Sequence, residues 1–250
     1  MAASWPWVAL LGVLGLVFGS FIATVAIRWP EGRSPFSGRS ACDGCGRTLK
    51  PIELVPVLSF LALRGRCGTC GARIARSHLA IELLGGAIGV LSGLMGPEGA
   101  ALAICGWLLL ALGALDLAAL WLPNELTGAL ALTGIGAGLL GLGPTLEVRL
   151  IGLAAGFGSL WLVASLYRRL RGREGLGGGD PKLFGAIGAW IGWEGLAYVL
   201  LAASLLGLLT VMLLRLGGRR LGMQDRLPLG VFLAAAAWPL LWLSTWGGGV

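Results

Sequence analysis

Apolar stretches long enough to cross a membrane recur along nearly the whole of this 250-residue chain. A membrane-spanning helix needs about 20 mainly apolar residues. Length and hydropathy predict eight spans, at 6–27, 79–95, 100–120, 126–143, 149–167, 182–194, 196–214 and 229–246. Charged residues make up only 12% of the chain, and no gap between spans could hold a sizeable soluble core. We therefore expect an all-α, polytopic integral membrane protein.

The short sixth span is expected to be tilted, lined by neighbouring helices or partly unwound near its glycines. The first span has no preceding basic region, and Arg28 follows it, so we expect a retained helix rather than a cleaved signal peptide. Small residues spaced four apart, such as Gly152 and Gly156, are expected to let helices pack closely.

Lysine and arginine are distributed unevenly between the spans. Nine lie between Arg28 and Arg76, and two shorter clusters follow, made of Arg168, Arg169, Arg171, Arg173 and Lys182, and of Arg215, Arg219, Arg220 and Arg226. With eight spans all three clusters fall on one side, which the positive-inside rule makes the cytoplasmic side. Arg149 alone falls on the other side, and both termini lie outside.

The formal net charge of +7 is explained by this topology and by contact with anionic lipid. A nucleic-acid-binding function would need an extended basic face, so it is not expected.

The polar stretch at 28–78 carries four of the five cysteines. They form two C-x2-C pairs, "CDGCG" at 42–46 and "CGTCG" at 67–71. Two residues between thiolates let one tight turn aim both sulfurs at a single metal, and the glycines tolerate the backbone angles that such turns need. The predicted ligands of a structural, tetrahedral zinc site are Cys42, Cys45, Cys67 and Cys70. Disulfides are the alternative, which the reducing cytosol disfavours.

Two aspartates stand at the edges of spans, where acids are costly and tend to be functional. Asp116 interrupts the third span near its cytoplasmic end, and Asp180 opens the sixth within "GLGGGDPKL". The predicted topology puts both carboxyl groups at one membrane face, where two close carboxylates would share a proton. The ionised member could activate water for attack on a peptide carbonyl while the protonated member stabilises the oxyanion. The alternative for each aspartate is an interfacial acid paired with arginine.

The neighbourhood of these acids carries further expectations. The glycines before Asp180 let the backbone approach a partner or a peptide closely, and Lys182 supplies a nearby cation. Asn124 is expected to cap the helix that follows Pro123. The single histidine, His78, is expected to have an interfacial rather than a catalytic role, because no serine or cysteine partner for it is evident.

Ordered blocks along the chain resemble the type IV prepilin peptidases, bifunctional leader peptidases and N-methyltransferases of bacterial inner membranes. The blocks are "GLVFGSFIATVAIRWP", "CDGCGRTLKPIELVPVLSFLALRGRCGTCGARIARSHLAIELL", "LDLAALWLPNELT", "EGLGGGDPKLFGAIGAWIGW" and "RLPLGVFLA". The family's G-x-G-D signature falls on Gly177, Gly178, Gly179 and Asp180, and its first catalytic aspartate falls on Asp116. Departures from the family pattern are Ala23 for asparagine, Ala118 for a second acid, Gly178 for a frequent tyrosine and Pro181 for phenylalanine.

The resemblance implies a peptidase that removes the basic leader of prepilins or pseudopilins at the cytoplasmic face of the membrane, with Asp116 and Asp180 as the catalytic pair. Substrate and enzyme would meet within the lipid bilayer. The implied organisation is an N-terminal region at 1–95, which contains the cysteine loop, and a six-span peptidase core at 96–250.

The resemblance also implies methylation of the new amino terminus by S-adenosylmethionine. The sequence offers no strand–glycine–helix unit for the methyl donor. The candidate methyl-donor residues are therefore sought in and near the cysteine loop, at Gly65, Glu53 and Glu82.

Two other functions stay open. In a transporter or assembly scaffold the two acids would form a proton or cation relay, which predicts ionisable residues across several spans, whereas the other spans carry almost none at mid-membrane positions. The second is a related G-x-G-D peptidase that acts on archaeal preflagellins or membrane stubs, although the twin cysteine pairs favour the bacterial type. Neither the oligomeric state nor the pilus or type II secretion system served is indicated.

Overall fold

The computed structural model describes residues 4–34, 38–173, 175–218, 222 and 227–246. These residues form eight α-helices and no named strand, with two isolated β-bridges, so the expected all-α fold is confirmed. The helices are α1 (Trp5–Arg28), α2 (Leu58–Ala62), α3 (Arg76–Gly93), α4 (Gly99–Ala119), α5 (Asn124–Leu139), α6 (Leu146–Arg171), α7 (Asp180–Leu216) and α8 (Leu229–Trp246). Short 3₁₀ turns at Pro51–Leu54 and Gly96–Glu98 precede α2 and α4.

Several of these helices suit a membrane. Within the described residues, four are long and apolar enough to cross one: α1, α4 with its preceding turn (Gly96–Ala119), α6 and α7. Leu229–Thr245, in α8, is a shorter apolar helix. The total of eight spans stays a prediction.

The sixth and seventh predicted spans are joined in the single long helix α7, which is interrupted at Gly192. This residue has φ 79° and ψ 175°, a backbone conformation that only glycine adopts without strain. The helix therefore consists of a first segment, 180–191, and a longer second segment. The break lies at a glycine near the end of the predicted sixth span.

The structure describes only some of the arginines on which the predicted membrane orientation depends. Arg219, Arg220 and Arg226 lie outside the described residues. Arg149, expected as an isolated cation in the non-cytoplasmic region, lies in the first turn of α6 with 2% of its surface exposed. It is a buried residue of the helix, and the side of the membrane on which it lies stays a prediction.

The chain divides into two compact units, Met1–Ala114 and Leu115–Val250. In the first unit α1 packs along α3. Gly15 faces the backbone of Gly85, and Gly19 faces that of Glu82, so that a Cβ atom at either glycine would meet main-chain atoms. Small residues thus set the distance between the two helices.

In the second unit α7 packs along α6 and also contacts α5 and α8. Gly152 lies against the backbone of Gly188, and Gly156 against that of Phe184. The expected packing role of Gly152 and Gly156 is confirmed. The unit also contains the end of α4, from Leu115 onward, and therefore both candidate catalytic aspartates.

Candidate active site and metal centre

Asp116 lies in the last turn of α4 and is 4% exposed. Its Oδ2 accepts a hydrogen bond from the backbone N–H of Val231 at 3.1 Å, and Gly230 lies directly against the carboxyl group. Gly230 and Val231 belong to the first turn of α8, where unpaired N–H groups and the helix dipole favour a carboxylate. The aspartate therefore caps a helix far along the chain.

Asp180 is the first residue of α7 and is 7% exposed. Its Oδ2 accepts the backbone N–H of Gly177 at 3.0 Å, and its own N–H donates to the Gly177 carbonyl at 3.2 Å. The carboxyl group thus folds back over the glycine loop. A Cβ atom on Gly177 would lie 3.0 Å from Oδ2, so glycine leaves the carboxyl group its space.

The two carboxyl groups lie close enough for the charge of Asp116 to act on the carboxyl group of Asp180. Leu122, which is 9% exposed, packs beside the glycine that precedes Asp180 and beside the glycine that lies against Asp116. A Cβ atom on Gly179 would meet Leu122 Cβ at 2.7 Å, and one on Gly230 would meet Leu122 Cδ1 at 3.2 Å. None of the ion pairs among the described residues includes either aspartate. The arrangement suits two acids that share a proton.

Lys182 and Asn124 form a contact beside these acids. Lys182 Nζ donates to Asn124 Oδ1 at 2.7 Å. Helix α5 begins with Pro123 as its N-cap and has no side-chain capping hydrogen bond, so the expectation that Asn124 caps this helix is wrong. The amide side chain binds the lysine ammonium instead, because that charged donor lies within its reach.

Two departures from the family pattern have a local explanation. A Cβ atom on Gly178 would have no neighbour within 4 Å, so the open space accepts either glycine or the larger side chain that is frequent in the family. Pro181 occupies the first turn of α7, where a helix does not need the N–H that proline lacks.

The four loop cysteines come together. Their sulfur atoms all lie within 4.8 Å of one another, and none is in a disulfide. Each pair lies in a matching turn: Cys42 N–H donates to Arg47 O at 2.9 Å, and Cys67 N–H donates to Ala72 O at 2.8 Å. The bridges Ala41–Thr48 and Arg66–Arg73 close the two turns. Two knuckles of the same construction therefore face one another.

The sulfur geometry fits a metal. The Sγ atoms of Cys42 and Cys70 are 3.7 Å apart, while tetrahedral zinc with Zn–S bonds of about 2.3 Å separates its sulfurs by about 3.8 Å. Backbone N–H groups of Cys70 and Thr69 lower the pKa of Cys67 to about 6, which favours its thiolate. The pKa of Cys70 moves the other way: the backbone N–H of Ala72 lowers it, but burial and the neighbouring thiols outweigh that bond and raise the pKa to about 11. The cluster could hold a metal ion.

Glu53 and Gly65, two of the candidate methyl-donor residues, lie in the cysteine loop. Glu53 accepts two hydrogen bonds from Arg47, at 2.7 and 2.9 Å, and the backbone N–H of Lys50 at 2.8 Å. The Arg47 pairing, followed by the Lys50 bond, lowers the pKa of Glu53 to about 2. Gly65 has φ 66°, and its Cβ would lie 2.8 Å from Phe60. Both residues thus have structural roles, and donor binding by them stays a prediction.

Glu82, the third candidate, lies in α3 and is 4% exposed. Its Oε2 accepts the backbone N–H of Val57 at 2.7 Å. Val57 has φ 63°, an uncommon conformation for a β-branched residue. The buried carboxylate therefore holds a strained turn of the cysteine loop against α3. Donor binding by Glu82 also stays a prediction.

His78 has a serine neighbour, Ser20, that the sequence did not indicate, and its expected interfacial, non-catalytic role stays a prediction. Its Nε2 lies 3.4 Å from Ser20 Oγ and 3.3 Å from Glu82 Oε1. A nucleophile relay needs the serine and the acid on opposite ring nitrogens. Because both face Nε2, the three groups form a polar contact between α1 and α3 rather than a triad.

Some residues of the site were missed from the sequence. Val231 is bonded to Asp116 and Gly230 lies against it, yet only the block "RLPLGVFLA" pointed to that part of the chain, and it named no role for them. Leu122 was likewise not singled out. The sequence could have indicated Leu122 because it directly precedes Pro123 in the block "LDLAALWLPNELT", which contains Asp116.

Two family models match consecutive parts of the chain. A family model described as the bacterial Peptidase A24 N-terminal domain matches residues 13–95, and one described as the type IV leader peptidase family matches residues 103–212. No solved structure matches the chain.

Curated relatives cover most of the chain. A protein of Burkholderia pseudomallei (strain K96243) is 40% identical over 93% of this chain and 84% of the relative. One of Dickeya chrysanthemi is 37% identical over 97% and 94%, and one of Pseudomonas aeruginosa is 36% identical over 92% and 88%. Each of the three is named prepilin leader peptidase/N-methyltransferase.

Proposed function

The chain belongs to the type IV leader peptidase family, and we propose that it removes the leader peptide of prepilins or pseudopilins with Asp116 and Asp180 as its catalytic pair. The observation that carries this proposal is the convergence of two buried carboxyl groups, each held by backbone N–H groups. The printed names of its curated relatives supply the substrate class.

The proposed chemistry uses the two acids as a pair. One carboxylate takes a proton from a water molecule, whose oxygen attacks the carbonyl carbon of the scissile peptide bond. The protonated partner donates a hydrogen bond to the carbonyl oxygen as it becomes an oxyanion. The C–N bond then breaks, the amine leaves with a proton from the pair, and the acids again share one proton.

Isosteric variants test the pair. Asp116→Asn and Asp180→Asn keep the size of each side chain but remove its ability to accept and return a proton. Each purified variant, incubated with a prepilin whose mass is then measured, is expected to leave the leader attached. Full cleavage by either folded variant would refute the catalytic pair.

The second proposed activity is methylation of the new amino terminus, with the methyl group supplied by S-adenosylmethionine. The shared name of the relatives supports it. In this proposal the methyl donor binds in the first unit, near Glu53, Gly65 and Glu82. In this proposal Glu53→Gln and Glu82→Gln release unmethylated but correctly cleaved pilin, which mass spectrometry distinguishes by one methyl group. Normal methylation by both variants would remove these acids from the proposal.

The metal is proposed to be structural zinc, bound by Cys42, Cys45, Cys67 and Cys70. Four thiolate ligands close the tetrahedral coordination sphere and leave no open position for chemistry. The ion would fasten the two knuckles of the loop to each other.

The proposed location is the bacterial inner membrane, with the three basic clusters and the aspartate pair at the cytoplasmic face. Membrane-length apolar helices support a location in a membrane, and the positive-inside rule is the argument for the orientation. The proposed organisation remains an N-terminal region at 1–95 and a peptidase core at 96–250, and the family models matched at 13–95 and 103–212 support it. The proposed partners are the pilin-like substrates and the lipid bilayer, without nucleic acid.

A further inference from the structure

Arg149 is buried in the second unit and uses its guanidinium on backbone carbonyl groups. It lies in the first turn of α6 and is 2% exposed. The planar group also lies over the indole of Trp190, 5.9 Å from the ring centroid. Its hydrogen bonds run from Nε to Pro144 O (2.8 Å), from Nη1 to Gly134 O (3.0 Å), Ala189 O (2.9 Å) and Trp190 O (3.2 Å), and from Nη2 to Leu142 O.

Two of these carbonyl groups lie at the break in α7. Ala189 and Trp190 stand just before Gly192, whose φ of 79° and ψ of 175° turn the chain out of the helix. Carbonyl groups in the last turn before such a break lose the regular alignment with N–H groups four residues on. Arg149 supplies donors to both, and it brings positive charge to the negative end of the segment dipole. It acts as the C-terminal cap of segment 180–191.

The same segment carries Asp180 at its other end. The segment is about 18 Å long at 1.5 Å per helical residue, and every residue from 183 to 190 is buried. Gly188 lies against the backbone of Gly152 in α6. Gly185 lies against the carbonyl oxygen of Leu153 and against Phe157 in the same helix. A short, closely packed helix moves as one body, so a change at its capped end is transmitted to Asp180.

We propose that Arg149 is a positioning residue for leader cleavage, which caps the break at Gly192 and thereby fixes the depth and rotation at which Asp180 faces Asp116. This inference rests on the proposed peptidase function. The residue acts through segment 180–191 and contacts neither substrate nor the reacting atoms. Arginine suits the role because its planar fork of donors reaches carbonyl groups of α5, α7 and the α5–α6 loop at once, whereas lysine donates from one atom.

The test compares Arg149→Met, which keeps an unbranched apolar stem but removes the guanidinium and its donors, with Arg149→Lys, which keeps the charge and part of the donors. Arg169→Met is the matched control, because Arg169 is exposed on the same helix. Initial rates of prepilin cleavage are measured for purified, monodisperse enzyme well below its thermal midpoint. We expect Arg149→Met to lower kcat about tenfold at a KM within about twofold of wild type. We expect Arg149→Lys to recover part of this loss and Arg169→Met to match wild type.

A wild-type kcat in folded Arg149→Met would overturn the positioning role, as would a loss that appears only in KM. If Arg149→Met does not accumulate, Arg149→Lys decides: a lowered kcat at unchanged KM supports the role, and a wild-type kcat overturns it. A wild-type enzyme that leaves prepilin intact would instead refute the proposed peptidase function.

Discussion

Replacing Gly230 by alanine would add one methyl group beside the carboxyl group of Asp116. Gly230 lies in the first turn of α8, where alanine fits the backbone, so the methyl group is the main change. Its Cβ atom would stand 2.8 Å from Asp116 Oδ2, 3.0 Å from Cγ and 3.2 Å from Leu122 Cδ1. Three contacts therefore become too short at once.

The size of the effect follows from these distances. Ordinary contact begins near 3.4 Å, so Oδ2 must retreat by about 0.6 Å from the methyl group. This movement lengthens the 3.1 Å bond from Val231 N–H. A misplacement of 1 Å in an active site can cost about 100-fold in rate, so a shift of about half that size predicts a fall in kcat on the order of tenfold.

The assay is leader removal from a prepilin by purified enzyme, followed by mass spectrometry over time. The matched control is Gly158→Ala in α6, because a Cβ atom there has no neighbour within 4 Å. The control should cleave at the wild-type rate and be at least as stable, since alanine is the better helix former. A folded Gly230→Ala enzyme with kcat within about twofold of wild type would refute the claim that α8 positions Asp116 for catalysis.

Further predictions concern the glycine loop, the metal and an acid of the cysteine loop. Gly177→Ala should reduce kcat several-fold more than Gly178→Ala, because only the Cβ at 177 approaches Asp180 Oδ2, at 3.0 Å; equal kinetics of the two variants would contradict this. Metal analysis of the purified protein should find about one zinc per chain, and Cys70→Ser should lower that content, whereas a zinc-free wild type would contradict the site. The carboxyl of Glu53 should titrate near its lowered pKa of about 2 rather than 4.5. Its pairing with Arg47 therefore stabilises the loop above pH 4.5 and is lost as pH falls through 2. Carbon-13 NMR of the carboxyl group would show this, and Arg47→Met should return the midpoint toward its usual range.

Much of the metal centre could be predicted from the sequence because its geometry is local. A C-x2-C pair followed by glycine determines one tight turn, so each knuckle follows from about five consecutive residues. What the sequence could not show is how the loop is held. Glu82 reaches Val57 across 25 positions of the chain, and such a contact depends on where α3 lies beside the loop.

The sequence by itself determined the helical class, the two acids, the four cysteines and the family likeness, since apolar runs, rare charges and short motifs carry their meaning within a few residues. Only the tertiary structure decided what holds the acids. Asp116 is bonded to Val231, 115 positions away, and Arg149 reaches Trp190 across 41. The physical reason is that a backbone N–H or C=O group is present at almost every residue. No local pattern marks which of them will face a carboxylate or a guanidinium until the helices pack.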